Sequence, residues 1–238
     1  MENERIKAIH DAAVHLFLQQ GYARTQISHI AREVGVSVGT IYHDFAGKQE
    51  IMHFVLKCTI SPGYLEKDFE RPVTDDLFRG LEEEIMQVFR KSAENFSGRL
   101  KQGKEAYDFP SLISDAFDML AQYAVGCLFI EKNQFDFPVL ARNYREYREH
   151  FFAAMTGYLS LFMGKGMIRP LKNKELTTAL IVEQLAWWAM DMRYNSFEEH
   201  HISWRRPKRY AWITWFTLIC RFKKIIRADS ALLILPGK

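Results

Sequence analysis

The sequence predicts an all-α protein, a small N-terminal helical module followed by a larger C-terminal helical bundle. Three observations predict it. Apolar residues recur at three- and four-residue steps along nearly the whole chain, while the strict alternation of a half-buried strand is rare. Glycine, proline and polar clusters interrupt that pattern at intervals suited to helices of two to seven turns. No internal repeat or low-complexity tract competes with this reading. At 238 residues, 48% of them hydrophobic, the chain can bury a sizeable core, and its 18 Phe, 10 Tyr and 5 Trp make that core bulky.

Taken in order, Ile6, Ile9, Ala13, Leu16 and Phe17 form one stripe over residues 4–19, and Gly21 then supplies a left-handed stop. Thr25 is the expected N-cap of a second helix that turns Ile27, Ile30, Ala31 and Val34 inward and ends at Gly35. Ser37 caps a third, about 38–44, with Ile41 and Phe45 inward. A fourth starts near Lys48 and carries Ile51, Phe54 and Val55 to the core. Pro62, Gly63 and Pro72 then punctuate a charged stretch, which places the domain boundary near residue 60 and divides the chain into 1–60 and 61–238. Long helices are expected at 74–98, 110–131, 138–164, 173–197 and 207–227, joined by short loops and therefore packed as antiparallel neighbours.

Composition narrows the chemistry. With 32 basic and 29 acidic residues the net charge is only +3, so charge alone does not point to a nucleic acid. Cys58, Cys127 and Cys220 are odd in number and widely spaced, which argues against a disulfide framework or a cysteine-rich zinc site. Glu198-Glu199-His200-His201 is a poor metal site, because consecutive loop residues rarely converge on one ion. No cofactor is expected: there is no Gly-rich phosphate loop, HExxH pair or GxSxG elbow, and the scattered histidines suggest no enzyme. The charged start MENERIKAIHDAAV and the shortness of the apolar run AWITWFTLIC (211–220) lead to the expectation of a cytoplasmic protein with no membrane partner.

The informative stretch is GVSVGTIYHDF, residues 35–45. A helix, a tight turn at Gly35-Val36 and a short helix capped by Ser37 have the dimensions of a helix-turn-helix, whose second helix enters a DNA major groove by its N-terminal end. Gly39, one turn into that helix, costs about 1 kcal/mol relative to alanine. The absence of a side chain there lets a phosphate backbone come close. The run IAREVGVSVGTIYHDFAGKQEI (30–51), together with Thr25, resembles the DNA-binding signature of the TetR (tetracycline-repressor) family of bacterial regulators. Ile30-Ala31, Gly35-Val36-Ser37, Gly39-Thr40-Ile41-Tyr42, Phe45 and Lys48 carry the resemblance, which covers about one-fifth of the chain.

The resemblance implies that Thr25, Tyr42 and Lys48 hold phosphates, while Val38, Thr40 and His43 face bases, with Ser37 and Gly39 lining the approach. Hydroxyl and ammonium donors fix register on a backbone. The methyls of Val38 and Thr40 suit thymine, and His43 can donate or accept. Two features depart from this pattern. Asp44 stands where the family commonly has an aromatic residue, and a carboxylate beside phosphate is repulsive unless it turns to a cap or a neighbouring cation. Residues 37–45 also hold no Arg or Lys, and residues 1–57 balance six basic against six acidic side chains. Weak non-specific binding follows.

A short recognition helix reaches few base pairs, so a homodimer on a palindromic double-stranded operator is expected. Apolar residues on two sides of 173–197 and the aromatic face of 207–227 make these the candidate pairing helices, with Trp188, Met192, Trp212, Phe216 and Ile219 at the interface, an assignment taken from the resemblance. The stripe from Leu140 to Phe162 includes tyrosines whose hydroxyls need partners when buried. In the family an effector is held in this region, which suggests an apolar or aromatic ligand bounded by Tyr144, Tyr147, Phe151 and Trp187. The whole reads as a transcriptional regulator, a repressor by family habit. The alternative is an architectural DNA binder or a partner-binding module without ligand control. The basic run 205–227 is expected to be a solvated face.

Overall fold

The computed structural model describes residues 2–101 and 107–194. The expected helix at 207–227, with Trp212, Phe216, Ile219 and the basic run, lies outside the described residues, as does His200-His201. All regular structure among the described residues is helical: α1 Glu2–Gln19, α2 Ile27–Val34, α3 Val38–Asp44, α4 Lys48–Ile60, α5 Leu81–Lys101, α6 Phe109–Gln122, α7 Ala124–Lys132, α8 Pro138–Gly164, α9 Lys174–Ala186 and α10 Met192–Tyr194.

The head, α1 to α4, closes around the apolar positions predicted for it. Ile6, Ile9, Ala13, Phe17, Ile30, Ala31, Ile41, Phe45, Ile51, Phe54 and Val55 are buried, while Leu16, Ile27 and Val34 pack half-buried at its margin. The second helix begins one residue later than expected. Gln26 caps it through a reciprocal exchange with His29, because the Thr25 hydroxyl is already spent on the Gly21 carbonyl at 2.8 Å.

Packing does not break at residue 60. The strap of residues 61–80 folds back over the head, where Tyr64 and Phe69 set their rings 5.6 and 5.2 Å from that of Phe54. Val73, fully buried, forms a parallel bridge with Phe45. The expected 74–98 helix is accordingly divided. A single 3-10 turn, Asp75–Phe78, is separated from α5 by Gly80, whose φ of 75° breaks the helical path.

In the body α5 lies along α8, with Phe89 stacked on Tyr147 and Phe96 against Phe151. Residues 110–131, expected as one helix, form α6 and α7 at an angle of 63°. Tyr123 at the joint has left helical geometry, and Gly126 lets α7 press on α4: a Cβ there would meet Thr59 Cγ2 at 2.9 Å. The helix predicted at 173–197 also changes character, passing through a π-helical turn at Trp187–Asp191 that rotates the face carried onward by α10. No single helix among the described residues is long and apolar enough to cross a membrane.

Candidate nucleic-acid interface

The turn between α2 and α3 is made by Gly35 at φ 79°, whose N–H donates to the Ala31 carbonyl and closes the end of α2. Ser37 then starts α3, its hydroxyl accepting from the Thr40 N–H at 3.0 Å and lying 2.9 Å from the Thr40 hydroxyl. Ile41 and Phe45 anchor the helix in the core with no exposed surface. The opposite side therefore faces outward.

That outward side carries Ser37, Val38, Gly39, Tyr42 and His43, with Thr40 half-buried beside them. Val38 is 41% and Tyr42 50% exposed, a large apolar presence for a helix of seven residues. Gly39 has no internal reason to be glycine. It sits within α3, and an added Cβ would meet only Ser37 Oγ at 3.6 Å, an ordinary contact.

The inward side of the same signature is occupied differently. Thr25 is fully buried and accepts from Gln20 Nε2 besides donating to Gly21, so its hydroxyl is not placed to hold a phosphate as expected. Lys48 is half-buried, and its ammonium donates to the carbonyls of Tyr22 and Thr25, each at 3.0 Å, over the Tyr22 ring at 4.1 Å. Burial lowers its pKa from the ordinary lysine value, an effect that the Asp136 carboxylate opposes. Two of its three donors are thus committed inside the protein.

Asp44 turns away from solvent to neighbouring cations. It is fully buried, receives Arg5 Nε at 2.5 Å and Arg5 Nη2 at 2.7 Å in a two-pronged pair, and receives Arg71 Nη1 at 3.0 Å. His43 Nδ1 lies 3.2 Å away. Burial pushes this carboxyl up, yet the hydrogen bonds from Arg5 and His43 and the charges of Arg5 and Arg71 outweigh it and hold the pKa below its ordinary value. Sequence reasoning missed Arg5 and Arg71. The signal was the carboxylate itself, which at the C-terminal end of a helix opposes the macrodipole and needs cations from elsewhere.

It also missed Tyr22 and Asn133. The Asn133 side chain, buried at the end of α7, accepts from the Tyr22 N–H at 2.7 Å and donates to the Phe129 carbonyl at 2.8 Å. The body is thereby fastened to the loop that Lys48 also grips.

Residues 9–54 match the family model described as bacterial regulatory proteins, tetR family. The head thus resembles that of TetR-family regulators. The head is 48% identical over 54 residues to the HTH-type transcriptional regulator HbdR of Aromatoleum sp. (strain CIB), 23% of this chain and 24% of that one. It is 43% identical over 47 residues to the fatty acid metabolism regulator protein of Bacillus subtilis (strain 168), 20% of this chain and 24% of that one. These matches span about a quarter of the curated relatives' length. Beyond the head the likeness is one of fold. The ketosteroid transcriptional regulator KstR2 of Mycobacterium tuberculosis superposes with a TM-score of 0.55 at 12% identity, covering 91% of this chain and 95% of that one.

Behind the head, the four expected ligand residues do not surround one cavity. Tyr144, Tyr147 and Phe151 are buried in the α5–α8 contact, whereas Trp187 is 43% exposed on another side of the body. The Tyr144 hydroxyl donates to Glu131, which Arg148 also holds, and burial pushes its pKa far up, so it remains a donor. A groove of about 420 Å³ does run between α5 and α8, floored by Phe89, Ala93, Tyr147 and Ala154 and edged by Arg90 and His150. Of the expected pairing residues, Trp188 and Met192 are half-buried. A different apolar row of the same segment stands exposed, Leu176 at 57%, Leu180 at 54% and Trp187 at 43%.

Proposed function

We propose that this protein is a DNA-binding transcriptional regulator whose homodimer inserts α3 of each head into successive major grooves of a palindromic operator. One observation carries the reading: the outward side of α3 presents Val38, Gly39 and Tyr42 with no packing role, and beside them an exposed His43 that touches only Asp44, on a helix otherwise fixed by Ile41 and Phe45. A glycine that the fold does not require, at the position where a sugar-phosphate rail would pass, supports it further. Within this reading Tyr42 and the remaining donor of Lys48 hold phosphates, and Val38, Thr40 and His43 face base edges. Thr25 contributes by shaping the loop beneath Lys48.

Two supports extend the reading to the body. The exposed row Leu176, Leu180 and Trp187 has the spacing of a helix face meant for another helix and supports pairing through α9. The α5–α8 groove has the size and apolar floor of a small-molecule site, roughly 300–1,000 Å³ being usual, and supports control by an apolar or aromatic effector.

Selection of bound sequences from random duplex DNA tests the central claim. A palindromic consensus, with preference at particular bases altered by His43→Ala by about 1–3 kcal/mol per position, is the expected outcome. Uniform weak binding to every duplex would replace a regulator with an architectural binder. Repeating the selection with compounds found by thermal shift tests the effector.

A further inference from the structure

The recognition helix is held at its C-terminal end by a charge cluster and a pair of main-chain bonds that both lead to the strap. Asp44 takes Arg5 from α1 on one side and Arg71 from the strap on the other. The Asp44 carbonyl accepts from the Val73 N–H at 2.8 Å, and the Ala46 N–H donates to the Val73 carbonyl at 2.9 Å. Carboxylate, guanidinium and two main-chain bonds thus converge on three residues each side, 44–46 and 71–73.

From Val73 the chain runs without slack into α5. The 3-10 turn Asp75–Phe78 is pinned to α4 through Gln49 and His53, both bonded to Asp75, and Phe78 is buried. After Gly80 comes α5, one wall of the α5–α8 groove. A shift of α5 therefore has a direct covalent and hydrogen-bonded path to the end of the recognition helix.

We propose that Asp44 and Arg71 are positioning residues: they lock the recognition helix to the strap, so that displacement of α5 alters the presentation of α3 by this path in addition to any path through α4. The proposal rests on α3 being the DNA-reading element. The two-pronged Arg5 pair fixes the angle of the Asp44 carboxylate, and Arg71 ties that oriented carboxylate to the strap through a charge-assisted bond.

The test uses the full chain with Arg71→Ala, Arg71→Lys and Asp44→Asn. Hydrogen exchange is read at the Ala46 and Val73 amides, and affinity for the selected duplex is measured over a range of salt. Arg71→Ala leaves the Arg5 pair in place, so folding persists. The expected result is exchange at both amides faster by about tenfold and duplex binding weaker by about tenfold with an unchanged salt slope, with partial recovery in Arg71→Lys. A fall of the slope by about one would make Arg71 a phosphate contact and overturn the positioning role. Tighter binding with a steeper slope in Asp44→Asn would overturn it too, by making Asp44 a mask for Arg5 and Arg71. Unchanged exchange and affinity would remove the lock altogether. If the parent chain selects no duplex, the reading of function fails instead, while the exchange data still decide whether the lock exists.

Discussion

The two sides of the short helix Val38–Asp44 separate what the family signature runs together. On the outer side Val38 and Tyr42 do no work for the fold, while His43 is exposed but touches the Asp44 carboxylate through Nδ1. On the inner side Ile41 and Phe45 fill the core, and the charged or hydroxyl groups nearby are engaged with other protein atoms: Asp44 with arginines, Lys48 with carbonyls and Thr25 with Gly21. Similarity to a signature identifies all of these positions at once. Only geometry tells which of them support the exposed face of the helix and which form it.

The sharpest break between the sides is a change in stability. Phe45 has no exposed surface and meets Phe54 edge-on at 5.3 Å, so Phe45→Ala is expected to cost about 3–5 kcal/mol and to unfold the head under mild conditions. Tyr42→Ala, three residues earlier, should remain within about 0.5 kcal/mol of the parent in denaturant unfolding. Similar losses in both would mean that α3 has no free side.

Much of the head was legible because its periodicity is dense and its caps are chemically specific. Ser37, Gly35, Ile41 and Phe45 all stand where spacing puts them, and α8 runs over the predicted residues 138–164. Where the reading departed, a competitor from elsewhere in the chain had won. Thr25 lost its capping role to the Gly21 carbonyl, four residues back. The break at Tyr123 accompanies the closeness of α7 to α4 at Gly126 and Thr59, a tertiary demand invisible in a local window. The cations of Asp44 come from 39 and 27 residues away, and the amide that fastens Tyr22 comes from Asn133, 111 residues on. An aromatic stripe such as Tyr144, Tyr147 and Phe151 reads alike whether it encloses a ligand or packs on another helix; here Phe89 and Phe96 fill the place.

A smaller effect probes Lys48, which is engaged on the inner side and is proposed to reach the outer one. Lys48→Met keeps the apolar stem but removes the ammonium donor from the Thr25 carbonyl and leaves the Tyr22 carbonyl with the Thr25 N–H, and a loss of about 1–3 kcal/mol is expected in unfolding. If its third donor reaches a phosphate, the salt slope of duplex binding should also fall by about one per head. Lost stability with an unchanged slope would move Lys48 entirely to the inner side.

Acid should dissolve the inner side selectively. Asp44 has a folded pKa below its ordinary value of 3.8, so its ionised form is the better bound, and its contribution is complete above that value and disappears as pH falls through the folded one. The stability difference between the parent and Asp44→Asn should therefore be constant near neutrality and shrink below about pH 4. A difference that persists at pH 2 would mean that the shape of the side chain, and no charge, holds the helix end.

The smallest change in stability is the most discriminating, because its sign opposes the change in binding. At Gly39 an added methyl meets only Ser37 Oγ at 3.6 Å, so nothing in the protein opposes it. Helix propensity favours it by up to about 1 kcal/mol. Gly39→Ala is therefore expected to raise the unfolding midpoint slightly while weakening duplex binding, since the methyl projects from the outward side where main chain and phosphate must come close. A variant both more stable and equally tight would show that the outer side does not approach DNA at this residue. Loss of both properties would instead return Gly39 to the inner side, where a hidden packing demand, and no duplex, accounts for the glycine.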